Sequence, residues 1–202
     1  MAAVYGIPDV RYPMEMARFW LLKCEPDVYS IGDLARDGTT GWDAIRNYQV
    51  RNFLRDDMSP GDLGIFYHSN ADPSGAVGVL RIERSGVPDP TQFDPRSEYH
   101  DPRSTRAAPT WLMCEVRFVE RFAEVISLER MRGEQALADM MILRKGNRLS
   151  ITPLTQGEFD SIRELGRSAG ADEPSAEVQS RKVIPSVGAK SPRKPSSSIK
   201  RR

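Results

Sequence analysis

This sequence predicts a mixed α/β (α+β) domain, with short strands curled into a small barrel or sheet surrounded by short helices. Three observations carry that prediction. Apolar runs of strand length are interspersed with segments of helical periodicity, and their order is not a regular βαβ repeat. Turn and capping signals punctuate the chain at close intervals. With 202 residues, 39% hydrophobic and 28% charged, the chain has the size and composition of one globular domain with some length to spare. A domain of about 150 residues buries roughly two-thirds of its unfolded surface, so its core needs no disulfide.

Taken in order, Phe19-Trp20-Leu21-Leu22 reads as the first strand, ended by Pro26. Ser30-Ile31-Gly32-Asp33 is a capping box opening a helix with Ile31, Leu34 and Ala35 inward and Gly38 as its stop. A second helix is expected from about Asn47, where Val50, Phe53 and Leu54 follow i, i+3, i+4 spacing. The turn Ser59-Pro60-Gly61-Asp62 leads into strands at Leu63 to Tyr67 and Ala76 to Glu83. Ser85 to Pro109 holds five prolines and is expected to be a long loop, of the kind that often carries function. Trp111 to Phe122 should be the longest strand, with Leu112, Cys114, Val116 and Phe118 on one face. A short helical region follows, roughly Ser127 to Met141, then a strand at Arg148 to Thr152. Thr155-Gln156-Gly157-Glu158 is a second capping box, opening a helix that Gly166 should close. The expected organisation is a flexible extension over 1–17, the folded domain over 18–166, and a disordered basic tail over 167–202.

Charge is divided unevenly. Eight of the 29 basic residues lie between Arg181 and Arg202, where there is no acid; 21 basic residues then face 28 acidic ones over the preceding 180, a formal −7. Such a body is not a duplex binder that works by neutralising many phosphates, so any nucleic-acid recognition must come from a local site. Cys24 and Cys114 sit in apolar runs and read as reduced thiols, and no stretch reaches the ~20 apolar residues of a membrane span. Residues 1–17 carry Pro8, Asp9, Arg11, Pro13 and Glu15 and lack a signal-peptide core. A cytoplasmic protein, nuclear in a eukaryote, is expected, with no membrane partner and acting as a monomer.

Four clusters hold the chemistry: Lys23-Cys24-Glu25-Pro26, Gly41 to Phe53, Phe66-Tyr67-His68-Ser69-Asn70, and Asp94 to Pro102. On residue type alone, Trp42 and Tyr67 read as core, Arg46 and Arg51 as solvated helix charges, and His68 as a hydrogen-bonded structural histidine. In order and spacing, however, these clusters resemble the EVE domain family of the PUA-like superfamily. The similar segments are the strand ending in Cys24-Glu25-Pro26, Trp42-Asp43-Ala44-Ile45-Arg46-Asn47-Tyr48-Gln49, Phe66-Tyr67-His68-Ser69-Asn70 and Pro88-Asp89-Pro90-Thr91-Gln92-Phe93-Asp94-Pro95. A later block, Leu137 to Met140 and Arg148 to Leu154, is similar as well, and the resemblance spans roughly Arg18 to Leu165. Cys24 stands where the family has Ser, and Ala44 where it has Gly.

The resemblance implies a PUA-like fold whose pocket accepts one extruded base, with a modified cytosine in DNA favoured. The residues fit such a task. Trp42 and Tyr67 could supply π-faces; Asn47, His68, Ser69 and Asn70 donors and acceptors; Glu25 an acceptor for an exocyclic amine; and Cys24 a weak thiol contact. Arg46, Lys23 and, more weakly, Arg51 suit flanking phosphates. Alternatives are an RNA reader of the same superfamily, a small-molecule or nucleoside binder, and a hydrolase using Cys24 with His68. No nucleophile elbow, Gly-x-Gly-x-x-Gly motif, phosphate loop or paired metal-ligand spacing supports catalysis, a cofactor or a metal. Removing Arg181 to Arg202 should leave the melting temperature unchanged while lowering nonspecific nucleic-acid affinity and its salt dependence, measured by titration at several salt concentrations.

Overall fold

The structure, a computed structural model, describes residues 17–168; all but Arg167 and Ser168 of the expected tail and all but Ala17 of the N-terminal extension lie outside the described residues. The first half of the chain runs β1 (Phe19–Cys24), α1 (Ile31–Asp37), β2 (Thr39–Trp42), α2 (Tyr48–Asn52), β3 (Leu63–His68) and β4 (Gly75–Pro88). The second half runs β5 (Leu112–Ser127), α3 (Leu128–Gly133), β6 (Ile151–Leu154) and α4 (Gln156–Ser168). All six strands form one sheet in the order β2-β5-β4-β3-β1-β6, a mixed α/β architecture.

The two most continuously apolar runs lie inside the sheet. β1 and β3 pair in parallel, from Phe19 opposite Leu63 to Cys24 opposite His68. Strands buried on both faces lose polar alternation, which is how these two read. Trp20, Leu22 and Phe66 join one core cluster with Ile31 and Leu34 of α1, Val50 of α2 and Trp42 of β2. Their sequence neighbours Phe19, Leu21, Ile65 and Tyr67 point the other way, joining Met131 of α3 and Phe159 and Ile162 of α4. Helices thus cover both faces, and parity along each strand decides which core a side chain enters. Several register shifts between β4 and β5 bend this long ribbon and reset its parity: Cys114 and Val116 enter the first core, whereas Phe122 and Ile126 enter the second.

Both capping boxes form. Ser30 Oγ accepts from the Asp33 amide at 3.1 Å, while Asp33 accepts from the Ser30 amide at 2.9 Å. Thr155 and Glu158 repeat the exchange at the start of α4. Gly38 ends α1 at φ 75°, where a side chain would be strained. Other expectations are revised. Ala35 is exposed. Thr39–Trp42, to which the sequence gave no strand, is an edge strand paired with β5. β4 continues to Pro88, so the expected loop loses its first residues to the sheet; a proline ends the strand because it brings no N–H to the ladder. A single π-helical turn, Phe53–Asp57, extends α2, and the strand expected at Arg148 starts at Ile151.

Gly166 does not stop α4; the helix passes through it to Ser168. Its role is close approach, since a Cβ there would overlap the Phe122 ring, whereas nothing lies within 4 Å of one added at Gly157. Alanine ordinarily stabilises a helix by up to ~1 kcal/mol over glycine. Overpacking against Phe122 should outweigh that gain, so Gly166→Ala is expected to lose about 1–2 kcal/mol net, while Gly157→Ala is neutral or stabilising. Urea unfolding midpoints of the two variants check the opposite signs.

Candidate functional site

Because β1 and β3 run in parallel, their carboxyl ends reach the same edge of the sheet, and the ladder continues one step as the Ser69 amide donates to Cys24 O at 2.9 Å. There the apolar run gives way to polar side chains. Lys23 and Cys24 of β1 with Glu25 just after it, Ser69 and Asn70 just after β3, and the Thr40–Asn47 stretch line an open cavity of about 1020 Å³. Trp42 forms its floor, 7% exposed and edge-on to the Phe66 ring at 5.0 Å between centroids.

The wall beyond Trp42 is held by a buried carboxylate. Asp89, 0% exposed, accepts from the Ala44 amide at 3.0 Å and from Arg46 Nη1 at 2.7 Å through Oδ2. Its Oδ1 accepts from the Thr91 amide and hydroxyl at 2.7 and 2.6 Å. Ala44 is thereby held at φ 61°, in the left-handed region where glycine is at ease and alanine is not. Arg46 also donates to Thr91 Oγ1 and to the Tyr99 carbonyl, and its guanidinium lies 5.5 Å from the centroids of the Tyr99 and Trp111 rings. Gln92, also fully buried, uses both ends of its amide: Nε2 donates to Asp89 O and Trp111 O, and Oε1 accepts from the Thr110 and Trp111 amides. The proline-rich loop is therefore fastened against the cavity wall.

Eight of the eleven residues singled out from the sequence line this cavity: Lys23, Cys24, Glu25, Trp42, Arg46, Asn47, Ser69 and Asn70. Three do not. Tyr67 is 3% exposed on the opposite face of the sheet, in the core of α3 and α4, because it alternates with Phe66. It is not a platform for a ligand here. His68 Nε2 accepts from the Ile31 amide at 3.2 Å, supporting the start of α1. Arg51 bonds to Asn52 and stacks over Tyr48 at 4.8 Å. Within the cavity, Arg46 is committed to Asp89 rather than open to a phosphate. Asn47 Oδ1 caps α2 by accepting from the Gln49 and Val50 amides, which leaves its Nδ2 uncommitted.

Val28, Tyr29, Tyr99, Arg148 and Ser150 complete the lining and were not foreseen as site residues. Tyr99 lies in the fourth sequence cluster, a signal that was present but unassigned. Arg148 arrives through the β6–β1 pairing, where the Lys23 amide donates to Ser150 O at 2.8 Å. Among the described residues, the Lys23 and Arg148 side chains have no ion-pair or hydrogen-bond partner, which makes them the cations available to an anion here. Burial pulls the Lys23 ammonium pKa down. Burial, and secondarily the charge of Asp89, pushes the Asp43 carboxyl up. The ammonium would gain from an anion or a hydrogen-bond acceptor, and the carboxylate from a cation or a hydrogen-bond donor.

Cys24 and His68 are register partners, yet the pair is not arranged as nucleophile and base. The imidazole Nε2 is occupied by Ile31, the thiol lies 3.6 Å from Glu25 O, and burial raises the thiol pKa, which disfavours the thiolate. Among the described residues no three His, Cys, Asp or Glu side chains are grouped to hold a metal ion, and no helix is long and apolar enough to cross a membrane.

The EVE domain family profile matches residues 18–165. Thymocyte nuclear protein 1 of Homo sapiens is 38% identical over 169 residues, 74% of this chain and 74% of that protein. The crystal structure of human THYN1 protein in complex with 5-methylcytosine containing DNA superposes with a TM-score of 0.69 at 37% identity, covering 78% of this chain and 100% of that one. A protein of Pseudomonas putida solved by X-ray crystallography superposes at 0.70 and 43% identity, covering 73% and 99%.

His68 also makes α1 sensitive to acid. Burial and, secondarily, Arg121 lower its pKa below 6.5, so the folded protein favours the neutral ring whose Nε2 accepts from Ile31. The unfolded chain takes up the proton first, so this stabilisation is complete above about pH 6.5 and is lost as pH falls from there toward the folded value. Asp33 and Asp101, whose pKa values are held at about 2 by backbone and side-chain hydrogen bonds, lose their contributions only below about pH 4. Unfolding free energy followed from pH 7.5 to 3 should therefore fall in two stages. His68→Gln, which keeps an acceptor but cannot titrate, should remove only the first.

Proposed function

The chain belongs to the EVE domain family, and we propose that it is a reader of a modified base, a modified cytosine in DNA foremost, taken singly into the cavity at the ends of β1 and β3. The observation that carries this reading is the convergence of eight polar, charged and aromatic residues from three separate segments on one open cavity, in a chain similar to a protein crystallised with 5-methylcytosine containing DNA. An extruded base needs an aromatic surface and hydrogen-bonding groups for its edge. Trp42, Tyr29 and Tyr99 offer the first; Glu25, Asn47, Ser69 and Asn70 offer the second.

Lys23 keeps the phosphate role the sequence gave it, and Arg148 takes the place of Arg46 and Arg51, the two receiving the phosphates beside the extruded nucleotide. The action is binding without turnover, since neither the Cys24–His68 pair nor any other group in the cavity is set up as an activated nucleophile. One chain builds the whole cavity, in keeping with a monomer. The reading unit is residues 18–166, and the basic tail adds a weak attraction for any nucleic acid. An RNA reader would use the same cavity and differ in contacts to the 2′-hydroxyl.

Fluorescence anisotropy with DNA and RNA oligonucleotides carrying one 5-methylcytosine or one cytosine tests the assignment. The methylated DNA should bind most tightly. Lys23→Ala and Arg148→Ala should each weaken all oligonucleotides alike and flatten the salt dependence by about one phosphate's worth. Equal affinity for marked and unmarked oligonucleotides, with no effect of either substitution, would refute the reading. Trp42→Ala is unsuitable for this purpose, because truncating a packed tryptophan costs about 3–5 kcal/mol of folding stability.

A further inference from the structure

Glu25 and Asn70 follow the last paired residues of two adjacent parallel strands, which brings them side by side at the mouth of the cavity. Asn70 Nδ2 donates to Glu25 Oε1 at 2.6 Å, a charge-assisted bond that fixes the carboxylate on a short tether. Asn70 adopts φ 51°; among the described residues only Ala44 shares a positive φ without being glycine, and both line this cavity. An asparagine tolerates that region, so the backbone turn and the amide contact come from one residue.

Among the described residues no donor reaches Glu25 Oε2 or Asn70 Oδ1. The pair therefore presents uncommitted acceptors, and the Asp43 carboxylate lines the same cavity. The Ser69 hydroxyl, next in the chain, has no partner among the described residues and can donate. An acceptor pair with an adjacent donor matches the edge of a base that carries an exocyclic amine beside an unprotonated ring nitrogen. A carbonyl in place of the amine would set lone pairs against a carboxylate and leave a polar group unpaired.

We propose that the Glu25–Asn70 pair selects a 4-aminopyrimidine over a 4-ketopyrimidine, with Glu25 contacting the amine and Asn70 acting as its positioning residue. This rests on the base-reading assignment above. The cavity then distinguishes 5-methylcytosine from thymine, which has the same methyl group and differs at position 4 and in protonation of the neighbouring ring nitrogen. The methyl group alone could not separate them.

The test uses the full chain and single-stranded oligonucleotides identical except for one central cytosine, 5-methylcytosine, uracil or thymine; single strands remove differences in pairing energy. The expected result is at least about tenfold tighter binding of 5-methylcytosine than of thymine. Glu25→Gln, whose amide can donate to the thymine carbonyl, should bring that ratio toward one. Glu25→Asp, which keeps the charge but shortens the reach, should weaken 5-methylcytosine several-fold and leave thymine unchanged. Asn70→Gly preserves the positive φ and removes only the amide, so it should act as Glu25→Asp does; wild-type affinity in that variant would overturn the positioning role. Thermal melts identify which variants fold, and any one folded Glu25 variant suffices. Equal binding of 5-methylcytosine and thymine by wild type, or a ratio untouched by a folded Glu25 variant, overturns the proposal even where 5-methylcytosine still outbinds cytosine. Cytosine and 5-methylcytosine bound equally, both well above thymine, would support the pair and refute the reading of the modification.

Discussion

The buried carboxylate of Asp89 is the constraint around which the cavity wall is arranged. An ionised group with no exposure is stable only when its lone pairs are met, and here two backbone amides, a hydroxyl and a guanidinium meet them. Each donor has a structural consequence. The Ala44 amide points at the carboxylate with its backbone in the left-handed region. The Thr91 contacts open the Pro90–Phe93 3₁₀ turn, and Arg46 carries the restraint on to Tyr99. A motif that looks like loop composition, Pro88 to Pro95, is therefore the fastening that gives the cavity one of its sides.

The opposite side depends on the parallel pairing of β1 and β3. Where two parallel strands end together, their next residues leave the ladder at the same level, and side chains distant in sequence meet without a long connection. Glu25 and Asn70, 45 positions apart, come within 2.6 Å for this reason. The apolar character of both strands backs the floor with packed side chains, since Trp42 rests on Phe66 and Phe66 on the rest of the first core. Rigid floor and wall leave the polar groups on the rim as the parts that can respond to a ligand.

Charge reinforces this division. The residues before the tail carry an excess of acid, so a phosphodiester approaching the domain meets little general attraction. Among the described residues most arginines are paired in place: Arg46 with Asp89, Arg84 with Glu115, and Arg163 and Arg167 with Glu120. Lys23 and Arg148 differ in having no such partner among the described residues while lining the cavity. In the proposed reading, recognition concentrates where these cations, and acceptors without donors among the described residues, face one concavity, and it need not extend over a broad basic surface.

Much of this was legible in the amino-acid sequence. Both capping boxes, the inner strands β1 and β3, the long β5 and eight of the cavity residues follow from local patterns or from the family resemblance. The sequence by itself determined what is local: caps need residues three apart, and strand burial is written in runs of apolar side chains. It also classed Tyr67 as core and His68 as structural on chemistry alone, and the fold agrees with those readings over the pocket roles that resemblance suggested. Only the tertiary structure decided that Tyr67 faces the second core, that Arg46 belongs to Asp89, that β2 is a strand, and that Tyr29, Tyr99, Arg148 and Ser150 join the cavity. Those outcomes depend on register, on bulges that reset which face a residue takes, and on partners 43 to 53 positions away. Side-chain direction alternates with every residue along a strand, so a one-residue difference in pairing reverses it, and no local pattern records where the pairing partner will be.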